Sequence, residues 1–349
     1  VCLFPRRLPN RKYIKNQKNG GVIPPIPDER VRYVNIGCEN CIECRKKKAR
    51  AWKVRMMEDI KINKNAKFVT FTFSNEKLKE LYEMKASKRN KDISHLKGYD
   101  LDNALAKRGV KLFLERYRKE HKVSLRHWLV TELGHQGTEN IHLHGIVWAD
   151  DMNSVEKHWG CFIWKGYEIR GKLQNYVNEK TINYIVGYVS KIDPKHKHYK
   201  SIVLCSPGIG KNYIDSVNCK NNKYNGLKTD QSYTTRTGNK LNLPAYWRNK
   251  IYSDEERERM WIDSLDSGKV YIMGETTKAG EEEEKLRKYY QKINARLGYR
   301  GYTNNKDELE HENKIRELLL EKRLRDLPRA PPSGGPSPGG QDLDIIRET

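Results

Sequence analysis

The sequence predicts an α+β fold, and three observations carry that prediction. Short β-favouring runs such as Phe68-Val-Thr-Phe-Thr-Phe73 alternate with segments of helix length and helical periodicity. Two further runs, 128–133 and 141–148, are separated by Gly134-His-Gln-Gly-Thr-Glu-Asn140, a turn of hairpin length. The two ends lack such patterning. Residues 1–37 are basic and punctuated by Gly20, Gly21, Pro24, Pro25 and Pro27, which reads as an irregular basic arm. Residues 328–340 are a Pro/Gly/Ser stretch that buries no core, so a disordered C-terminal tail is expected.

The helical segments follow from spacing. From 41 to 63 good helix formers dominate, and Trp52, Met56 and Ile60 recur every fourth residue as one apolar stripe. Segment 101–121 places Leu105, Leu112 and Tyr117 near one face, and 174–191 reads as another helix. Past Pro194 the pattern weakens until a charged helical region at 254–325, which contains the acidic run 281–284. The expected organisation is a basic arm with a cysteine cluster and a basic helix (1–63), the main domain (64–250), a charged helical region (251–327) and the tail (328–349). No internal repeat is visible.

Composition narrows the function classes. The chain has 349 residues, a formal net charge of +23 from 68 Lys and Arg against 45 Asp and Glu, and 36% hydrophobic residues. Its mean hydropathy is −0.90. So positive a balance repels itself, and phosphates are the usual partner that relieves it, so nucleic-acid binding is expected. No run of apolar residues is long enough to span a membrane. The first residues carry no apolar segment of the kind that directs secretion. Seven cysteines, an odd number with three clustered, point to a reducing compartment rather than a disulfide framework.

His142 and His144, two apart on a strand, share a face and can reach one ion. That spacing alone is unspecific, and the chain holds a second such pair, His196 and His198, in a basic stretch that reads as solvated surface. Hairpin register strengthens the first pair. With the turn centred on Gly137, Glu132 lies opposite His142, which adds a carboxylate to the imidazoles. Two His and one carboxylate with open positions suit Mg²⁺ or Mn²⁺, and the ligand types also admit Zn²⁺. Hydrogen-bonded sheet histidines beside a surface Glu are the bland alternative.

Tyr184, Tyr188 and Lys191, at i, i+4 and i+7, share one helical face, with Ile185, Val189 and Ile192 on another. Two packed core tyrosines are the alternative. Cys38, Cys41 and Cys44, spaced by three just ahead of a helix, can supply three thiolates to zinc, with Cys2 as the fourth. Reduced cysteines packed at a helix start are the competing reading. The helix beyond them carries Arg45, Lys46, Lys47, Lys48, Arg50, Lys53 and Arg55, a candidate DNA-backbone contact. Pro207-Gly-Ile-Gly-Lys-Asn212 is not a phosphate loop, because the glycines are too close and no Ser or Thr follows the Lys.

Taken in order, these pieces resemble the HUH endonuclease superfamily, and more closely the replication initiators of small single-stranded-DNA phages of the Microviridae, in particular the gokushovirus-like group. The resemblance rests on Cys38-Glu-Asn-Cys-Ile-Glu-Cys-Arg-Lys-Lys-Lys-Ala-Arg with Trp52, Phe68-Val-Thr-Phe-Thr, Thr131-Glu-Leu-Gly134 and His142-Leu-His144-Gly145. It continues through Tyr184-Ile-Val-Gly-Tyr188-Val-Ser-Lys191 and Pro207-Gly-Ile-Gly210. It spans about Cys38 to Trp247, with Leu133 where the family often carries an aromatic residue. It implies an antiparallel sheet core flanked by helices. It also implies a divalent ion held by His142, His144 and Glu132, with Tyr184 and Tyr188 as nucleophiles and Lys191 at the phosphate. The implied reaction is nicking of single-stranded or origin DNA in rolling-circle replication, leaving a 5′-phosphotyrosine and a 3′-OH primer, followed by rejoining of the product circle. The partners would be a host replication helicase and polymerase in the cytoplasm of a bacterial host. Two other readings stay open: a relaxase or transposase of the same superfamily, and a non-catalytic, zinc-stabilised nucleic-acid-binding protein.

Overall fold

The computed structural model describes residues 1–84, 95–137, 139–299, 301 and 306–325. The expected disordered tail lies outside the described residues. Strands β1 (Arg6–Pro9) and β2 (Tyr33–Ile36) precede helix α1 (Ile42–Ile62). Strand β3 (Ala66–Thr72), helices α2 (Asn75–Glu83) and α3 (Gly98–His121), and strands β4 (Arg126–Leu133) and β5 (Ile141–Trp148) follow. Next come α4 (Met152–Trp159), short strands β6 (Ile163–Trp164), β7 (Tyr167–Ile169) and β8 (Lys172–Gln174), then α5 (Glu179–Ser190) and β9 (Val203–Cys205). The remainder is α6 (Val217–Lys220), β10 (Ser232–Thr234), β11 (Lys240–Asn242), α7 (Ala245–Ile251), α8 (Asp254–Asp266), β12 (Lys269–Ile272), β13 (Glu275–Lys278), α9 (Glu281–Arg296) and α10 (Lys306–Arg325). Among the described residues, no helix is long and apolar enough to cross a membrane.

The chain forms two compact units from discontinuous segments: 1–55 with 211–304, and 56–210 with 305–349. Both the 64–250 and the 251–327 segments drawn from the sequence are divided between these units.

The second unit is built on a five-stranded antiparallel sheet in the order β6-β3-β5-β4-β9. Strand periodicity sends alternate residues to opposite faces. One face buries Phe71, Leu129, Leu143 and Val147 against Phe113 of α3, Trp159 of α4 and Leu320 of α10. The rings of Phe71, Phe113 and Trp159 lie 4.8 to 5.7 Å apart in tilted and edge-on pairs. In the middle of β5, a Cβ on Gly145 would sit 2.0 Å from the Trp128 carbonyl oxygen. Only glycine lets β4 and β5 approach this closely.

Helix α10 departs from the solvated charged region expected at 251–327. Its Arg316 is buried, with Nε 2.8 Å from Asp102 Oδ2 and Nη1 3.1 Å from Glu139 Oε2. Ion pairing with α3 and the hairpin turn, added to burial of Leu320, places this polar helix in the fold.

The first unit holds two small cores. Tyr213 stacks on Trp247 at 4.1 Å with Tyr233, Tyr252 and Met260 around them. Leu3, Cys38, Cys41, Ile42 and Ile272 form the other. The N-terminal arm is not wholly irregular. Its β1 and β2 pair antiparallel from Arg6↔Ile36 to Pro9↔Tyr33, so the intervening Gly/Pro segment is the loop of a closed hairpin. The buried side of α1 is also broader than a Trp52–Met56–Ile60 stripe. Met56 is buried while Trp52 and Ile60 are half-buried, and Val54, Met57, Glu58 and Asp59 are buried as well.

The Pro207–Gly210 turn is structural within the second unit. The amide of Gly210 donates to Asp59 Oδ2 at 2.7 Å, and Arg126 donates to both Asp59 and the Gly208 carbonyl oxygen. Gly208 and Gly210 have φ of +75° and +71°, which this tight path needs.

Candidate active site

The sheet face opposite the main core carries the candidate residues. Register pairs Thr72, His142 and Glu132 across β3, β5 and β4, and pairs Thr70, His144 and Val130 one step further in. The hairpin register read from the sequence is therefore the one observed, with Glu132 directly opposite His142. The carboxylate nevertheless reaches diagonally, with Oε2 2.8 Å from His144 Nε2. A diagonal neighbour on a strand is within range of a long side chain. Thr70, which sequence reasoning missed, holds the other ring nitrogen, with Oγ1 3.1 Å from His144 Nδ1. Its signal was its register in the Phe68–Phe73 run, on the same face as the histidines.

His142 and His144 lie nearly parallel, 20° apart with centroids at 6.4 Å. Burial first, then the nearby His144, with Glu132 opposing, pushes His142 down to about 4. A neutral imidazole with a free lone pair is the form that ligates metal. The donor set of two imidazoles and a carboxylate fits a divalent ion. Glu132 and His144 already touch, whereas His142 does not bring a ring nitrogen within 4.8 Å of both. Closing the set therefore requires His142 to turn.

Helix α5 lies against this face. It begins at Glu179 rather than near 174, because residues 172–174 pair as β8 and Asn178 caps the helix in a capping box with Thr181. Tyr184 meets Phe68 edge-on at 6.0 Å, and Tyr188 stacks on His144 at 4.4 Å with planes 3° apart. The two phenol oxygens are 2.7 Å apart. Phenol, phenol, imidazole and carboxylate thus form one contact chain.

Lys191 is not on the helical face expected for it. It is the C-cap residue, with extended backbone (φ −64°, ψ 139°) and an exposed side chain. The buried side of α5 is Ile182, Ile185, Val186 and Val189. Ile192 lies beyond the helix end.

His196 and His198 are not solvated surface, and this corrects the sequence reading. His196 Nδ1 is 2.8 Å from Asp193 Oδ2 and its Nε2 is 3.0 Å from Glu139 Oε2. His198 Nδ1 is 2.8 Å from Glu312 Oε1. Burial draws His196 down, but the bonds to Asp193 and Glu139 outweigh it, and its pKa is raised. His135, Asp193 and His196 have ligand atoms within 4.8 Å of one another. With both ring nitrogens of His196 given to carboxylates, this is an ion-pair lattice rather than an open metal site. It ties the β4–β5 turn to the segment after α5.

The remaining candidates fall in the first unit. Cys2, Cys38, Cys41 and Cys44 converge, with all four sulfurs within 4.8 Å of one another. Of the basic residues, Lys46, Lys47, Lys48 and Arg50 are exposed and Lys53 is half-buried. Arg45 is instead buried, donating to the Asn40 carbonyl oxygen and side chain. Arg55 is sandwiched between Trp52 and Tyr246, 4.1 and 4.0 Å from their ring centroids. Both arginines are spent on packing, which takes them out of the expected DNA contact.

No curated protein and no solved structure matches the chain. A family model for the replication-associated protein ORF2 matches residues 66–193, from the start of β3 to just beyond α5. All six candidates, Glu132, His142, His144, Tyr184, Tyr188 and Lys191, lie in that stretch, whose similarity supports a replication-initiator family.

Proposed function

We propose that the protein is a metal-dependent, site-specific DNA nickase of the HUH type that initiates rolling-circle replication, as the Microviridae initiators it resembles do. The observation that carries this reading is the contact chain from Tyr184 through Tyr188 and His144 to Glu132, inside the segment similar to replication-associated proteins.

His142, His144 and Glu132 would hold Mg²⁺ or Mn²⁺, which when bound polarises the scissile phosphate. Either tyrosine oxygen attacks phosphorus. The new bond is O–P to the 5′ side, the P–O3′ bond breaks, and the 3′ oxygen leaves as a hydroxyl after taking a proton. A phenol has an unperturbed pKa near 10 and must lose its proton as it attacks. The hydrogen bond between the two phenols lets the neighbour donate to the developing phenolate of the attacking one. Lys191, exposed at the helix end, would neutralise an incoming phosphate.

The phosphotyrosine keeps the energy of the broken diester, so a 3′-OH can attack it and rejoin the strand without ATP. Two nucleophiles suit a replication cycle, since one can hold the first 5′ end while the other makes the second cut. The released 3′-OH would prime a host polymerase, with a host helicase opening the duplex.

The test is incubation of the full chain with end-labelled single-stranded DNA from its own replicon's origin and Mn²⁺. A protein–DNA band that survives denaturation, absent without metal and absent in a Tyr184→Phe, Tyr188→Phe double variant, is expected. DNA binding without any adduct would favour the non-catalytic reading.

A further inference from the structure

We propose that Cys2, Cys38, Cys41 and Cys44 bind one structural zinc ion as a tetrathiolate site that fastens the start of the chain to the N-terminal end of α1. This goes beyond the nicking reaction and involves none of its residues.

All seven cysteines are free thiols, and only these four converge among the described residues. Zinc–thiolate bonds of about 2.3 Å in a tetrahedron put neighbouring sulfurs about 3.8 Å apart. Cys2 Sγ and Cys41 Sγ are 3.8 Å apart, and all four sulfurs lie within 4.8 Å of one another. Polynuclear iron–sulfur clusters hold their thiolates further apart, so a single ion is the better fit.

The backbone is arranged for charged sulfur. The amides of Phe4 and Cys38 donate to Cys2 Sγ at 3.3 and 3.2 Å, and the amide of Cys41 donates to Cys38 Sγ at 3.2 Å. Such bonds offset the negative charge that four thiolates bring to a divalent ion. Glu39, between the first two cysteines, has φ of +60°, which turns the chain back so that both sulfurs face inward. Gly37 leaves room for Cys44, whose sulfur would be 3.0 Å from a Cβ there.

The position is anchored from outside. Arg287 and Gln291 of α9 donate to the carbonyl oxygens of Cys2 and Leu3, and the Val1 amino group pairs with Glu43 at 2.8 Å. A small apolar core of Leu3, Ile42 and Ile272 needs no convergence of four thiols, whereas an ion requires it.

The experiment is metal analysis of the full chain purified without added metal. One zinc per chain is expected, unchanged in a His142→Ala, His144→Ala double variant and in Cys161→Ser or Cys219→Ser. Cys38→Ser and Cys41→Ser should lose it. Should those variants fail to fold, wild type in which cobalt replaces the metal should show the visible bands of a tetrahedral cobalt tetrathiolate. Substoichiometric zinc, iron in its place, full zinc retained by both cysteine variants, or cobalt spectra lacking thiolate bands would each overturn the assignment.

Discussion

The phenol ring of Tyr188 lies flat on the imidazole of His144, with centroids 4.4 Å apart and planes 3° from parallel. The stack positions a candidate nucleophile by packing rather than by its hydroxyl, which is left to pair with Tyr184. Tyr→Phe at either position should therefore preserve the fold and part of the cleavage of a simple oligonucleotide. Circle release should suffer in both, since the second cut needs the second hydroxyl. Adduct formation and closed-circle yield measure the two steps. If one single variant loses all cleavage while the other matches wild type in both assays, one tyrosine alone is the nucleophile.

Removing a proposed metal ligand should separate binding from chemistry. His144→Ala deletes a donor and the platform under Tyr188, so cleavage should drop by more than about 100-fold. DNA affinity should change little, because phosphate contacts by basic residues supply it, and it should weaken steeply with salt. Equal loss of binding and cleavage, read by filter binding and gel, would count against a catalytic role for His144.

The site was legible where local patterning determines it. Period-two alternation and a glycine-bearing turn located β4 and β5 and their register, which set Glu132 against His142. The spacing of four brought Tyr184 and Tyr188 to one helix face, but no local pattern shows that the face meets His144. His196 and His198 misled for the same reason. Their partners include Glu139 and Glu312, far along the chain, so a basic string looked like solvated surface. Helix α10 hid in the same way, because a charged helix reads as exposed until Arg316 meets Asp102 and Glu139. The Gly of His142-Leu-His144-Gly145 was read as motif, whereas the close approach of the Trp128 carbonyl is its physical cause.

That close approach gives a stability prediction. Gly145→Ala must push β4 away from β5, an overpacking that costs about 3 kcal/mol. Thermal denaturation should show a clear fall in Tm, with cleavage lost as the strands separate. An unchanged Tm would mean that the strands shift freely, and that Gly145 does not set the spacing of the site.

The His196 lattice should make stability depend on pH. Its raised pKa means the protonated ring is favoured in the fold, so its contribution is full below about 6.5, the unfolded value. It is lost as pH rises through the higher folded value. Asp193 and Glu139 are lowered, by bonds from His196 and His135 and from Lys195 and His196 that outweigh burial. Their contributions persist above the unfolded carboxylate range and fade as pH falls below it. Arg316, which opposes His196 protonation, stays charged throughout. The Tm difference between wild type and His196→Gln should thus be largest near pH 5 to 6 and shrink by about pH 8. A difference independent of pH would show that His196 acts by packing alone.

The last prediction separates α10 from the sequence that follows it. A chain ending at Leu327 retains Arg316 and Leu320 and should keep its Tm and its cleavage. A chain ending at Gly301 removes both, leaving Asp102 and Glu139 buried without Arg316. Breaking a buried pair by removing one partner costs about 3 to 5 kcal/mol, a large share of the stability of a typical domain. Glu139 sits in the β4–β5 turn beyond Glu132, so the loss should also loosen the register that sets Glu132 against His142. Arg316→Met tests the ion pairs without removing the helix, and should fall between the two truncations in Tm and in cleavage. A chain ending at Gly301 that melts and cleaves like the full chain would show that α10 is dispensable to this unit, however buried its arginine is.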